Sequence, residues 1–136
     1  MSRALGIDYG DVRVGIALSD PMRIIAKPFS TIKNNKDLIS EIELLIKEFN
    51  VTDLIVGYPL GMKAQRTKQT EKVEDFIVSL KEKIKIPITP IDERLSSVSA
   101  ASSLIQQGIK TGENKSKIDD TSAAIILQEF LDSKNV

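Results

Sequence analysis

The order of its apolar runs is what most limits how this chain can fold. Three strand-like segments come first: Arg3 to Tyr9, Val12 to Ser19 and Arg23 to Ile32. Gly10-Asp11 separates the first two at hairpin spacing. Pro28 predicts an edge or a bend in the third. The period then changes. Leu38, Ile42, Leu45, Ile46 and Phe49 recur at helical spacing over Asp37 to Phe49, with lysines and glutamates on the other face. Asp53 to Gly57 (DLIVG) is continuously apolar, as a parallel strand buried on both faces should be. A second helix is predicted over Gln69 to Ile84, striped by Val73, Phe76, Ile77 and Leu80, and a short strand over Pro87 to Ile91. A third helix over Leu95 to Gln107 stops at Gly108. TGENKSK reads as a polar loop, and a last helix runs from Asp119 to Asp132.

The order β-β-β-α-β-α-β-α-α predicts one α/β domain over residues 1–136. Its core is a mixed five-stranded sheet, three antiparallel strands and then parallel ones joined by crossover helices. No repeat or linker divides it, and a chain of this length can bury a core without staples.

Composition narrows the chemistry. The chain has no cysteine and no histidine. Disulfides, thiolate zinc sites, cysteine nucleophiles and the serine–histidine triad are therefore excluded. Carboxylates, lysine, arginine, hydroxyls and backbone groups remain, and a bound metal should be hard and oxygen-liking, magnesium or manganese. A formal charge of +0 gives no global attraction to nucleic acid, so such a partner would need a local basic patch. Asp8, Asp11 and Arg13 interrupt the first apolar run, so no signal peptide is expected. No apolar stretch approaches the ~18 residues of a membrane helix. A cytoplasmic protein without a membrane partner is expected.

Three acidic spots share one kind of placement. Asp8 lies near the end of the first strand, in GIDYG. Asp92-Glu93 follows the last strand, in IDERLSS. Asp119-Asp120 opens the last predicted helix, in KIDDTSAAIIL. Ligands of α/β sheets gather outside the carboxyl ends of parallel strands, where these acids can converge. Each also has a local explanation. Asp8 suits a turn that bonds the following amides. Asp92 suits the N-cap of the third helix, and Glu93 its positive dipole end. Asp119 or Asp120 suits the cap of the last. At ~100° per residue, Asp119 falls at the centre of the apolar face marked by Ala123, Ile126, Leu127 and Phe130, and Asp120 falls at its flank. An inward carboxylate is costly unless paired, hydrogen-bonded or metal-bound, which favours Asp119 as functional and Asp120 as a cap or supporting group. Converging carboxylates repel without a cation. Two divalent metals would give the cluster a use in phosphodiester hydrolysis.

Basic residues occupy the neighbouring segments. Arg13 follows the GIDYG turn, LGMKAQRTK carries Lys63, Arg66 and Lys68, and Arg94 follows the Asp-Glu pair. Lys110, Lys115 and Lys117 precede the last predicted helix. They suit phosphate contacts, although an exposed lysine is equally an ordinary solubilising residue. With only 4% aromatic residues, base stacking has little to work with.

GIDYG, IVGYPLGM, DERLSS and KIDDTSAAIILQEF, in this order over nearly the whole chain, resemble the YqgF/RuvX family of Holliday junction resolvases, also described as pre-16S rRNA nucleases. The resemblance implies a ribonuclease H-like fold and a metal-dependent nuclease. It makes Asp8 the first-strand metal ligand, Glu93 the second acid with Asp92 beside it, and Asp119 the acid of the last helix, around Mg2+ or Mn2+. Asp92 and Asp120 are assigned at most supporting positions around the ligands. The implied partner is nucleic acid, either precursor rRNA within a ribosome precursor or branched DNA, handled by a monomer or a homodimer. The chain departs from the family where PLNMDG is common, having Pro59-Leu60-Gly61-Met62-Lys63-Ala64 instead. Two other readings stand beside this one: an ATPase-like phosphate-binding module, because the sugar-kinase/actin group opens with a similar strand–Asp–Gly turn, and a non-catalytic nucleic-acid-binding protein.

Overall fold

A computed structural model describes residues 2–60, 63, 65–92 and 111–134, with residues 111–120 described by their backbone alone. Five strands and three helices lie within these residues: β1 (Arg3–Tyr9), β2 (Arg13–Ser19), β3 (Ala26–Lys33), α1 (Leu38–Glu48), β4 (Val51–Tyr58), α2 (Lys68–Lys83), β5 (Ile88–Asp92) and α3 (Thr111–Lys134). The predicted helix over Leu95 to Gln107 lies outside the described residues.

The strands form one sheet in the order β3-β2-β1-β4-β5. β1 and β2, and β2 and β3, pair antiparallel. β1 and β4, and β4 and β5, pair parallel. β1 and β4 are central and buried on both faces, which is why their sequences are nearly continuous apolar runs. Leu5, Ile7, Leu54 and Val56 pack against Leu38 and Ile42 of α1 and Val73, Phe76 and Leu80 of α2. Ala4, Ala17 and Ile55 face the other way, against Ala123, Ile126, Leu127 and Phe130 of α3. This is the mixed five-stranded sheet flanked by helices that the order of apolar runs predicts, in keeping with the fold that the family resemblance implies.

Two expectations are corrected. The third strand begins at Ala26, not Arg23. The Asp20 carboxylate accepts hydrogen bonds from the amides of Ile24 (2.7 Å) and Ile25 (2.9 Å), and Arg23 adopts a left-handed φ of 59°. The residues before Ala26 are thereby folded into a loop. Pro28 does lie on an edge strand, beside a register shift that leaves Phe29 unpaired.

The second correction concerns TGENKSK. It is helical, the first two turns of α3. The segment has no proline, and its single glycine is the helix's second residue. Its polar character hides the helix because it offers no apolar stripe. Asp119 and Asp120 therefore lie inside a helix, and the capping explanation for them falls away.

α3 runs antiparallel to β1. Gln128 accepts from the Ala26 amide (2.8 Å) and donates to the Ile24 carbonyl (2.9 Å). Phe130 and Leu131 share a surface cavity with Asp53 and Thr89, near the amino ends of β4 and β5. The amino-terminal half of α3 therefore points toward the carboxyl ends of the parallel strands.

Candidate active site

Asp8 is the penultimate residue of β1. Alternation places Ala4, Gly6 and Asp8 on the α3 face, opposite to Leu5 and Ile7. Gly6 fixes the helix height, because a Cβ there would lie 2.8 Å from both the Ala123 carbonyl oxygen and the Leu127 Cβ. Two strand residues span about 6.6 Å, and one helical turn rises about 5.4 Å. Moving from Gly6 to Asp8 thus moves about one turn back from Ala123, to the α3 backbone around residues 119 and 120. Asp8 is half-buried there.

The turn after Asp8 is held from two sides. Gly10 is required by close approach, since a Cβ would lie 2.5 Å from the Arg13 carbonyl oxygen. Asn34, just past β3, donates its side-chain amide to the Gly10 carbonyl (2.7 Å) and its backbone N–H to the Val12 carbonyl (2.9 Å). From α2, Gln69 donates to the Tyr9 carbonyl (3.3 Å) and Lys72 pairs with Asp11 (3.0 Å). The Tyr9 ring packs on Phe76 with centroids 4.4 Å apart. Sequence reasoning did not identify Asn34 or Gln69. Their bonds span 24 and 60 residues, and no local pattern announces such pairs.

Asp92 ends β5 and pairs with Tyr58. Ile91 faces α3, so alternation turns Asp92 to the opposite face from Asp8. Glu93 and Arg94 lie outside the described residues. Asp119, Asp120, Lys115 and Lys117 are placed by their backbone within α3, Lys115 and Lys117 being helical rather than part of a loop. Among the described residues no three acidic side chains converge, and Asp8 is the one member of the proposed set whose side chain is described.

Arg13 opens β2 opposite Lys33, two residues from Gly15, the partner of Asp8. Lys63 and Lys68 are exposed. Arg66 is engaged: its guanidinium pairs with Glu74, which also accepts from the Tyr58 hydroxyl (2.8 Å). The Arg66 and Tyr58 hydrogen bonds hold the Glu74 carboxyl below its ordinary range. The Glu74 carboxylate raises both the Tyr58 phenol and the Arg66 guanidinium. Thr67 caps α2 in a reciprocal box with Thr70, whose hydroxyl also reaches the Pro59 carbonyl. The segment after β4 is thereby tied to the start of α2.

A family model described as "RuvX: Holliday junction resolvase" matches residues 2–133. The chain belongs to this family. Among similar RuvX-type proteins, one from Ruminiclostridium cellulolyticum is 40% identical over 133 residues, covering 96% of this chain and 94% of its own. One from Desulforamulus reducens is 42% identical over 134 residues, covering 96% and 97%. Both carry the name "Putative pre-16S rRNA nuclease". Two solved structures share the fold. The first is Thermus thermophilus RuvC in complex with a Holliday junction substrate (TM-score 0.62, 11% identity, 99% of this chain and 96% of that one). The second is the fowlpox virus Holliday junction resolvase (TM-score 0.54, 14% identity, 98% and 99%). As a RuvX-family member the chain is a nuclease, an enzyme that hydrolyses phosphodiester bonds.

Proposed function

We propose that this nuclease processes the 5′ end of precursor 16S rRNA, using Asp8, Glu93 and Asp119 to hold Mg2+ or Mn2+. The placement of Asp8 carries the reading. It is a half-buried carboxylate at the carboxyl end of a central strand, on the face crossed by the α3 turn that contains Asp119. The donor set fits a hard divalent cation, because it is all carboxylate in a chain without histidine or cysteine. Asp92 turns to the other face, which supports Glu93 as the ligand of that pair. When bound, such a cation activates water and stabilises the leaving oxygen of a phosphodiester.

The chain's own groups do the rest. The clamped turn after Asp8 fixes that carboxylate. Arg13, Lys63, Lys68, Arg94, Lys115 and Lys117 take backbone phosphates, with Arg66 joining them by exchanging its Glu74 partner for a phosphate. The RNA assignment is supported by the names of relatives about 40% identical across nearly the whole chain. Branched DNA is the second reading, favoured by the description of the family model. No described helix is long and apolar enough to cross a membrane, in keeping with work on nucleic acid in the cytoplasm.

Cleavage of a precursor 16S fragment and of a four-way DNA junction, each in Mg2+ and in Mn2+, tests the proposal. The parent should cut the RNA at a defined site and Asp8→Asn should not. An Asp8→Asn protein that cuts as fast as the parent overturns the site. A parent that cuts only the junction overturns the RNA assignment.

A further inference from the structure

A cavity of about 380 Å³ opens between the start of α1 and the middle of α2, on the sheet face opposite to α3. Asp8 and Tyr9 are successive strand residues, so their side chains leave opposite faces. Asp8 lies on the α3 face, and Tyr9 lines this cavity. The cavity also shares parts with the clamp on the turn that follows. Asn34, which donates to the Gly10 carbonyl (2.7 Å), and Lys72, which pairs with Asp11 (3.0 Å), both line it. A molecule seated there touches groups that fix the turn beside Asp8.

The lining has two kinds of surface. Tyr9, Phe76 and Leu38 make an apolar floor, the two rings packed with centroids 4.4 Å apart and Phe76 and Leu38 buried in the core. Asp75 and Ser79 of α2 and Lys36, just before α1, add polar groups around that floor. The volume lies at the small end of ligand cavities. It suits one nucleotide and not a length of duplex. A nucleobase has apolar faces and hydrogen-bonding edges, and its phosphate is anionic. The floor suits the faces, the Asp75 carboxylate and Ser79 hydroxyl suit the edges, and Lys36 and Lys72 suit the phosphate. Only an unpaired base can offer its face and edge together in this way.

We propose that this cavity receives an unpaired nucleotide of the substrate RNA close to the bond that is cut, its base on the Tyr9–Phe76 floor and its phosphate at Lys36 and Lys72. The inference rests on the reading of Asp8 as the cleavage site. The strand then crosses the clamped Gly10-Asp11 turn between the two faces of the sheet. Such a site selects RNA that is single-stranded beside the cut.

Ser79→Phe, which fills the cavity from α2, and Lys36→Glu, which reverses a charge at its mouth, test the proposal; neither residue belongs to the clamp. Three probes are used without divalent metal: adenosine 5′-monophosphate, a short oligoadenylate, and that oligoadenylate paired with oligouridylate. In the parent, the monophosphate and the single strand should shift the amide resonances of Lys36, Ile39 and Ser79 saturably, and the duplex should leave them in place. By fluorescence anisotropy both variants should bind the single strand about tenfold more weakly than the parent, with circular dichroism melting close to parental. If Ser79→Phe does not fold, the exposed Lys36→Glu decides. Unmoved resonances, a duplex that shifts them as the single strand does, or parental affinity in the folded variants overturns the proposal. Shifts with the monophosphate alone would mark a site for a free nucleotide and overturn the RNA assignment. Failure of the underlying reading looks different, because Asp8→Asn would then cut like the parent while the cavity still bound the single strand.

Discussion

Gly6 and Ala123 meet where β1 passes beneath α3, so closely that a Cβ on Gly6 would lie 2.8 Å from the Ala123 carbonyl oxygen. The obstruction is helix backbone, which cannot rotate away. Gly6→Ala should therefore lift α3 and destabilise the fold by about 1–3 kcal/mol, the usual range for an overpacked core. Urea unfolding measures this directly. A variant as stable as the parent would mean that α3 is not seated on Gly6.

Asn34 links the end of β3 to the turn after Asp8 through the carbonyls of Gly10 and Val12. Asn34→Ala keeps the backbone bond and loses the side-chain one, so stability should fall by only about 0.5–1.5 kcal/mol. Cleavage should fall further, by roughly tenfold or more, because small misplacements of a reacting group are costly. Comparing kcat in the folded protein with the unfolding midpoint separates the two effects. Equal, small losses in both would make Asn34 purely structural.

Asp20 gives a pH signature. The amides of Ile25 and Ile24 hold its carboxyl below the ordinary 3.8. A folded-state value below the unfolded one means that ionised Asp20 stabilises the fold above about pH 4. That contribution is lost as pH falls through the folded-state value. Asp20→Ala should therefore melt below the parent near neutrality, and the gap should close in acid. Melting curves from neutral pH down to about pH 3 check the sign, and a gap that widens in acid would contradict it.

Asp119 and Asp120 should separate in function. Residue 119 lies one helical turn before Ala123, on the stripe continued by Ile126, Leu127 and Phe130, all buried. Asp119→Asn should reduce cleavage by about a hundredfold or more, as loss of one electrostatic group at a reacting centre does. Asp120→Asn should stay within severalfold of the parent. Single-turnover rates on one RNA substrate make the comparison, and the reverse ranking would exchange their roles.

What could be read from the sequence, and what could not, follows from physical range. β1, β2 and β4 are legible because strands buried on two faces need unbroken apolar runs. The buried stripe of α3 is legible from Ala123, Ile126, Leu127 and Phe130. The beginning of α3 is not, because Ile118 is the one large apolar residue in TGENKSKI and periodicity has nothing to act on. Arg23 to Ile25 is misread as strand because its isoleucines look like strand residues, while the Asp20 carboxylate takes their amides. At the site, the place of Asp8 near a strand end is legible. The clamp of Asn34 and Gln69 arises from chain segments meeting in the fold.

Crystals soaked in Mn2+ test the central claim most directly. Anomalous scattering should place manganese within about 2.0–2.6 Å of an Asp8 carboxylate oxygen, with Glu93 and Asp119 completing the ligand set. Manganese bound elsewhere, or Asp8 left without it at saturating concentration, would contradict the account.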